Sequence, residues 1–311
     1  MHPAYSVILF TTASGAGYGL LALAGLAGAS HGPASSVPFA LTVMAIALGL
    51  ISLGLLSSTF HLGHPERAWR ALSQWRSSWL SREGIAAVLT FVPAGLFALM
   101  WTFAGPAIAF WGILATVLSA VTVYCTGMIY VSLPTIRQWS HPLVVPVYMV
   151  FAPATGAVLS LAISHVFGRE QPVQVIFASI GLAAAIILKL AYWKSIDRTE
   201  RTHTIEAATG LGHLGTVRQL EMPHTAQNYL MKEMGFRVAR KHAEKLRRIV
   251  VLSLAGSLLF CLLTLALAPV LATTCAILAV LWAAIGAVTE RWLFFAEAVH
   301  VVNVYYGKPA A

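Results

Sequence analysis

The chain has 311 residues, 58% of them apolar and only 10% charged, with a formal net charge of +9. Water-soluble domains carry about 25% charged residues, so the composition excludes a soluble globular protein and points to the membrane. A positive balance can also serve nucleic acid, but base recognition needs a soluble module, and no nucleic-acid partner is expected.

A bilayer core of roughly 30 Å needs about 20 apolar residues per helix. On that measure the sequence predicts eight crossings, at roughly 7–29, 38–60, 85–104, 107–130, 143–165, 173–193, 249–269 and 273–295. The expected fold is all-α: a polytopic bundle of eight transmembrane helices forming one anchor domain over 1–311, with a long loop at 194–248. Ahead of the first crossing stands Met1-His2-Pro3-Ala4-Tyr5, without the basic segment or cleavage site of a signal peptide. This crossing is expected to stay in the mature protein. Eight crossings bring both termini to one face, together with loops 61–84, 131–142 and 194–248. Of the 20 Lys and Arg residues, all but Arg169 belong to that side. The positive-inside rule makes it the cytoplasmic face of a bacterial inner membrane. Lys189 and Arg291 fall within helices near it, where long basic side chains are expected to snorkel toward water.

The second crossing runs into Phe60-His61-Leu62-Gly63-His64-Pro65-Glu66-Arg67, and the third opens on Ser81-Arg82-Glu83-Gly84. A quinone site needs an apolar slot near the membrane surface, a hydrogen-bond partner for each carbonyl and groups that exchange two protons. Histidine titrates near neutrality, and burial tunes carboxylates toward it. His61 and Glu83 lie on one face and the intervening loop can bring them together; His64 and Arg67 are further quinone-binding candidates on that loop. Each of the leading pair also has a plain role. Glu83 in a first helical turn offsets the macrodipole by about 0.3–1 kcal/mol, and His61 can cap the second helix through its ring N–H.

Tyr124, Tyr130, Tyr192, Trp193, Trp69, Trp75 and Trp79 gather near the same surface and read mostly as interfacial belt residues. Cys125, Cys261 and Cys275 fall in predicted helices without C-x-x-C spacing, so neither a disulfide nor an iron–sulfur cluster is expected in this protein. The histidines lie in loops or at helix ends, which argues against a haem held by paired axial ligands. No metal site is expected.

The segment 194–248, about 55 residues, is too long for a bare connection. Gly210-Leu211-Gly212-His213-Leu214-Gly215 matches a dinucleotide fingerprint in letters, but no strand precedes it, and a glycine-rich turn is expected instead. From about Thr225 onward Leu230, Met234, Val238, His242, Leu246 and Ile249 recur with helical spacing. Seven Lys and Arg stand against two Glu between Lys232 and Arg248. This predicts a basic amphipathic helix that lies on anionic lipid and, through Arg237, Arg240 and Lys241, docks a partner. In the eighth crossing Glu290 and Glu297 are seven apart and share a face, with His300 a turn beyond. A carboxylate inside a membrane helix is a functional candidate by default, so Glu290 and Arg291 join the quinone-binding candidates. The plain reading is an ion pair of Glu290 with Lys189 or Arg291.

Phe60-His61-Leu62-Gly63-His64-Pro65, the Leu80-Ser81-Arg82-Glu83 stretch and the Glu290-Arg291-Trp292-Leu293-Phe294-Phe295 ending resemble the anchor subunit of dimethyl sulfoxide reductase over essentially the whole chain. The N-terminal Met1–Ile8 segment and the loop from Thr204 to Lys245 look closest to the anchor of the membrane-bound, cytoplasm-facing sulfite dehydrogenase. The resemblance implies a quinone-reactive membrane foot that binds no metal. It docks a ferredoxin-like, four-cluster iron–sulfur subunit, which in turn holds a molybdopterin catalytic subunit. It also implies that His61 and Glu83 are the quinone-site histidine and glutamate, with ubiquinone or menaquinone as the redox partner and sulfite oxidation as the leading overall reaction. Dimethyl sulfoxide reduction uses the same anchor role in reverse. Two readings of other classes stand beside this: a plain structural anchor, and a proton-translocating module, which would want ionisable groups at midplane depth and inverted repeats.

Overall fold

The computed structural model describes residues 4–59, 64–198, 203–221 and 242–306. Eight helices within it are long and apolar enough to cross a membrane: α1 (Tyr5–His31), α2 (Val37–Thr59), α3 (Trp79–Phe103), α4 (Ile108–Val131), α5 (Val144–Val166), α6 (Pro172–Arg198), α7 (Ala243–Leu263) and α8 (Pro269–Ala296). The protein is an all-α, multi-span membrane protein. Among the described residues the sole strand-like pairing is one isolated antiparallel bridge between Ile136 and His300.

Helix ends follow local chemistry. Ser78 caps α3, its hydroxyl accepting the Ser81 backbone N–H at 3.4 Å, and this start lies six residues before the predicted one. Pro269 opens α8 at a first-turn position where its missing N–H costs nothing. A tight turn joins α3 to α4, with Ala104 and Ala107 both in the left-handed region at φ 54° and 59°.

Lipid offers no hydrophobic drive between helices, so close packing of small residues must hold them together. α1 is the central helix and packs on α2, α4 and α5. A side chain on Gly19 or Gly156 would strike the facing backbone of the other helix where α1 crosses α5. The same holds for Gly25 of α1 and Gly112 of α4. α5 also meets α4, α6 and α8, and α7 packs between α6 and α8. Large apolar side chains such as Val88, Val92, Phe110, Val117, Ile180, Ile187, Leu252 and Leu259 remain exposed along the outside, as a bilayer-facing surface requires.

One end of the bundle collects the starts of α1, α3, α5 and α7 and the ends of α2, α4, α6 and α8. A 3₁₀ helix (Pro65–Gln74), the 132–143 loop and a terminal turn (Val302–Tyr305) decorate it. Every described candidate residue belongs to this N-terminal face or to the helix turns beneath it.

Candidate functional site

Glu83 sits one turn into α3, only 4% exposed, and the loop before the helix folds down beside it. The Ser81 hydroxyl donates to the Ala71 carbonyl. Arg82 lies over the Trp79 ring at 4.3 Å and donates to the carbonyls of Trp75 and Arg76 at 2.8 and 2.7 Å. Leu72 approaches Gly84 so closely that a Cβ there would stand 2.9 Å from its Cδ2. The carboxylate oxygen Oε1 of Glu83 is hydrogen-bonded to the Thr126 hydroxyl on α4, and that hydroxyl also faces the Thr122 carbonyl at 3.0 Å. A hydroxyl has one proton and two lone pairs. Thr126 can therefore donate to an ionised Glu83, or turn its proton to Thr122 and accept from a protonated one. Both protonation states of Glu83 find a partner, which is what a proton-exchanging group needs.

Thr126 also lines a narrow crevice between α1, α4, α5 and α8, whose cavity volume is about 30 Å³, room for water and nothing larger. Its walls carry Thr11, Ser14 and Tyr18 of α1, Tyr148 and Thr155 of α5 and Arg291 of α8, interleaved with Val123, Phe151, Ala152 and Ala287. Hydroxyls recur at i, i+3 and i+7 along this face of α1, a polar stripe inside a membrane helix.

Behind Arg291 lies a buried charged cluster. The Lys189 ammonium meets Glu290 Oε1 at 2.7 Å and Arg291 Nη2 meets Glu290 Oε2 at 3.3 Å, with Lys189, Glu290 and Arg291 2%, 1% and 3% exposed. Aromatic faces cover the cations: Arg291 stands 3.8 Å from the Tyr148 ring centre, and Lys189 stands 4.2 Å from Tyr192 and 4.9 Å from Trp193. Desolvating ions is expensive, and pairing plus ring contacts offsets it. Nearer the surface Arg247 of α7 grips Asp197 at 2.5 and 3.1 Å and Glu297 at 3.0 Å. Burial pushes the Glu297 carboxyl up, against the pull of Arg247.

The family model for the DMSO reductase anchor subunit (DmsC) matches residues 1–307. The chain belongs to this family. It is 34% identical to the C subunit of the sulfite dehydrogenase of Allochromatium vinosum over the full length of both proteins. It is 30% identical to the C subunit of the anaerobic dimethyl sulfoxide reductase of Haemophilus influenzae over 112 residues, covering 33% of this protein and 40% of that one.

Several expectations for this anchor-family member are corrected by its structure. Lys189 and Arg291 do not snorkel, because Glu290 lies between them and gives each a partner inside the bundle; the ion-pair reading of Glu290 holds with both cations at once. Glu83 is past the first turn of α3, whose described first turn has no acidic residue, so macrodipole compensation does not explain it. Tyr130, Tyr192 and Trp193 are not belt residues but are buried. Tyr130 packs among Trp139, Tyr148, Phe294 and Phe295. Trp69, Trp75 and Tyr124 do stay exposed.

His64 and Arg67 are not drawn into the crevice. They sit on the exposed 3₁₀ turn, paired with Glu66 at 3.0 and 3.7 Å. Glu290 lies inside α8 and pairs with Lys189 and Arg291, whereas Glu297 caps the end of that helix and pairs with Arg247. His61 lies outside the described residues, as do Arg237, Arg240 and Lys241 and most of the expected basic helix; α7 itself begins at Ala243. The glycine-rich run at 210–215 is a turn after a five-residue helix, Ile205–Thr209. The sequence reading missed Thr122, Thr126, Tyr18 and Tyr148. The signal available was the i, i+4 pair of threonines in α4, polar positions on one face of an apolar helix.

Proposed function

We propose that this anchor subunit is quinone-reactive and exchanges electrons between membrane quinone and a partner iron–sulfur subunit of a molybdopterin oxidoreductase, in the direction of sulfite oxidation. The observation that carries this reading is Glu83: a carboxylate buried at one end of the bundle, bonded to a threonine that serves either protonation state and that borders a polar crevice. A plain structural anchor has no use for such a group. Reduction of a quinone takes up two electrons and two protons. Glu83 supplies or accepts a proton at its Oε1, and His61 is proposed as its partner from the loop above.

The direction is supported by the full-length likeness to a sulfite dehydrogenase subunit; the same role in dimethyl sulfoxide reduction is the second reading, favoured by the family's description and by the shorter likeness. The N-terminal face is proposed to be cytoplasmic, from the cation bias. There the basic segment with Arg237, Arg240 and Lys241 meets lipid headgroups and the iron–sulfur subunit. Neither haem nor an iron–sulfur cluster is proposed for this protein.

Glu83→Gln tests the reading in membranes bearing the assembled complex. Loss of a positioned acid or base costs about 10²–10⁴ in rate, so quinone-linked turnover should collapse while turnover of the catalytic subunit with an artificial dye persists. Quinone-linked turnover at the wild-type rate would refute the role of Glu83.

A further inference from the structure

Three cavities invite a ligand. The crevice beside Thr126, with about 30 Å³ of room, takes water alone. A pocket of about 790 Å³ lies between segments 203–219 and 301–305, beside residues outside the described ones. The third is a groove of about 660 Å³ at the end of the bundle remote from Glu83, between the α1–α2 turn and the α5–α6 turn. That volume falls within the range of about 300–1,000 Å³ usual for ligand sites.

The groove is layered by polarity. Leu23, Leu26 and Ala27 of α1 and Val173 and Phe177 of α6 line one part of it, whereas Arg169 and Glu170 stand at its rim. α1 has 27 residues, about 40 Å of helix, against a hydrocarbon core of roughly 30 Å. Its last turn therefore reaches the headgroup layer, while Leu23, two turns before His31, lies about 12 Å deeper among acyl chains. Both turns are held firm. Ala34 N–H bonds to the Trp101 carbonyl at 2.9 Å and Arg169 N–H to the Ser164 carbonyl at 2.7 Å. The Gln174 amide donates to the Ser164 hydroxyl at 2.8 Å, and the Phe39 ring meets Trp101 and Phe167 edge to face. The rim carries one charge of each sign. Among the described residues Arg169 is the sole Lys or Arg at this end and Glu170 the sole carboxylate. Both are exposed, and neither is ion-paired within 4.0 Å among the described residues, with the other or with anything else.

We propose that this groove is a binding site for one zwitterionic phospholipid of the ethanolamine class, its phosphate on Arg169, its ammonium on Glu170 and one acyl chain laid between α1 and α6 against Leu26 and Phe177. The site is independent of the quinone reading. Water is a poor occupant for walls that are apolar and stand at acyl depth. A head group with a single negative charge would satisfy Arg169 and leave Glu170 facing it, whereas a phosphate joined to an ammonium matches both. Guanidinium and phosphate also make charge-assisted hydrogen bonds of good geometry.

The test reconstitutes the assembled complex in nanodiscs of equal parts ethanolamine and glycerol phospholipid with the same acyl chains. The complex is then released into mild detergent, and retained lipid is counted by native mass spectrometry. Wild type should keep the ethanolamine lipid in preference to the glycerol lipid by about two- to fivefold, the scale of one partly exposed ion pair. Arg169→Gln should lower retention of both about five- to tenfold, through loss of the phosphate contact. Glu170→Gln should erase the preference while keeping lipid bound, an outcome that misfolding does not produce. Ala27→Trp fills the apolar part of the groove and should displace either lipid. Equal retention of the two lipids by wild type, or preference for the glycerol lipid, would overturn the zwitterionic match. Wild-type retention in both Arg169→Gln and Ala27→Trp would overturn the site itself, and none of these results bears on the quinone reading.

Discussion

At the scale of single residues the decisive pattern is which charges have been taken inside and how they are balanced. Glu290 holds two cations, so its neutralisation is not equivalent to the loss of one of them. Glu290→Gln strands Lys189 and Arg291 together in a medium that solvates neither, and should cost about 3–5 kcal/mol of stability. Lys189→Met leaves one matched pair and should cost about 1–2 kcal/mol. Thermal denaturation of the detergent-solubilised protein should therefore rank wild type above Lys189→Met and Lys189→Met well above Glu290→Gln. The opposite order would mean that the cluster is not ionised as its geometry implies.

At the scale of elements, helix crossings and one surface knot divide the work. The α1–α5 crossing depends on Gly19 and Gly156, whose missing side chains let two backbones touch. Gly156→Leu should sharply reduce the amount of inserted protein, whereas Gly49→Leu, with no described atom within 4 Å of the added carbon, should leave it unchanged; immunoblots of membranes compare the two directly. The knot ties the 132–143 loop to the segment after α8. Val301 N–H bonds to the Thr135 carbonyl at 3.0 Å, Trp139 Nε1 donates to the Phe294 carbonyl at 3.1 Å, and Val299 N–H bonds to Gln138 Oε1 at 3.2 Å. Two histidines hold it from inside. His141 Nδ1 accepts Leu143 N–H at 3.2 Å, leaving its Nε2 beside Ser195 Oγ at 2.9 Å, and His300 Nδ1 accepts Val302 N–H at 3.0 Å. Burial lowers both histidines from the usual 6.5, with Arg137 adding to the effect at His141. A lowered folded-state value means that the stabilisation is present above the unfolded value and is lost as pH falls through the folded one. Protonation also removes the acceptor that each backbone N–H uses. Protection of the Leu143 and Val302 amides, taken relative to their intrinsic exchange rates, should fall as pH drops below the usual histidine value of 6.5, more than at Thr135 or Trp139; protection that does not change with pH would rule this out.

For the whole molecule the governing quantity is the placement of charge relative to the bilayer. Eight candidate spans among the described residues would bring the termini to one face, and the cation bias of the sequence makes that face the expected cytoplasmic one. A cytoplasmic reporter fused after Ala311 should be active and an alkaline phosphatase fusion silent. The reverse result would put the Glu83 end of the bundle on the outer side and move the docking of any iron–sulfur partner with it.

Composition and apolar run length were enough to determine the fold class and the number of spans among the described residues. Burying about 20 apolar residues per span and keeping cations on one side are constraints that the membrane imposes locally, and each can be read without knowing which helices touch. Glu83 was legible for a related reason, as a carboxylate at the edge of an apolar run, and so was the chance that Glu290 pairs with a cation. What the tertiary structure decided is contact between segments distant in sequence: that Lys189 of α6 and Arg291 of α8 converge on one carboxylate instead of reaching for water, that Thr126 of α4 meets Glu83 of α3, and that the Arg291 guanidinium of α8 lies on the Tyr148 ring of α5. Helical periodicity says which residues share a face, but the rotation of one helix against another is set by backbone contacts such as Gly19 on Gly156, and those exist only once the bundle has packed.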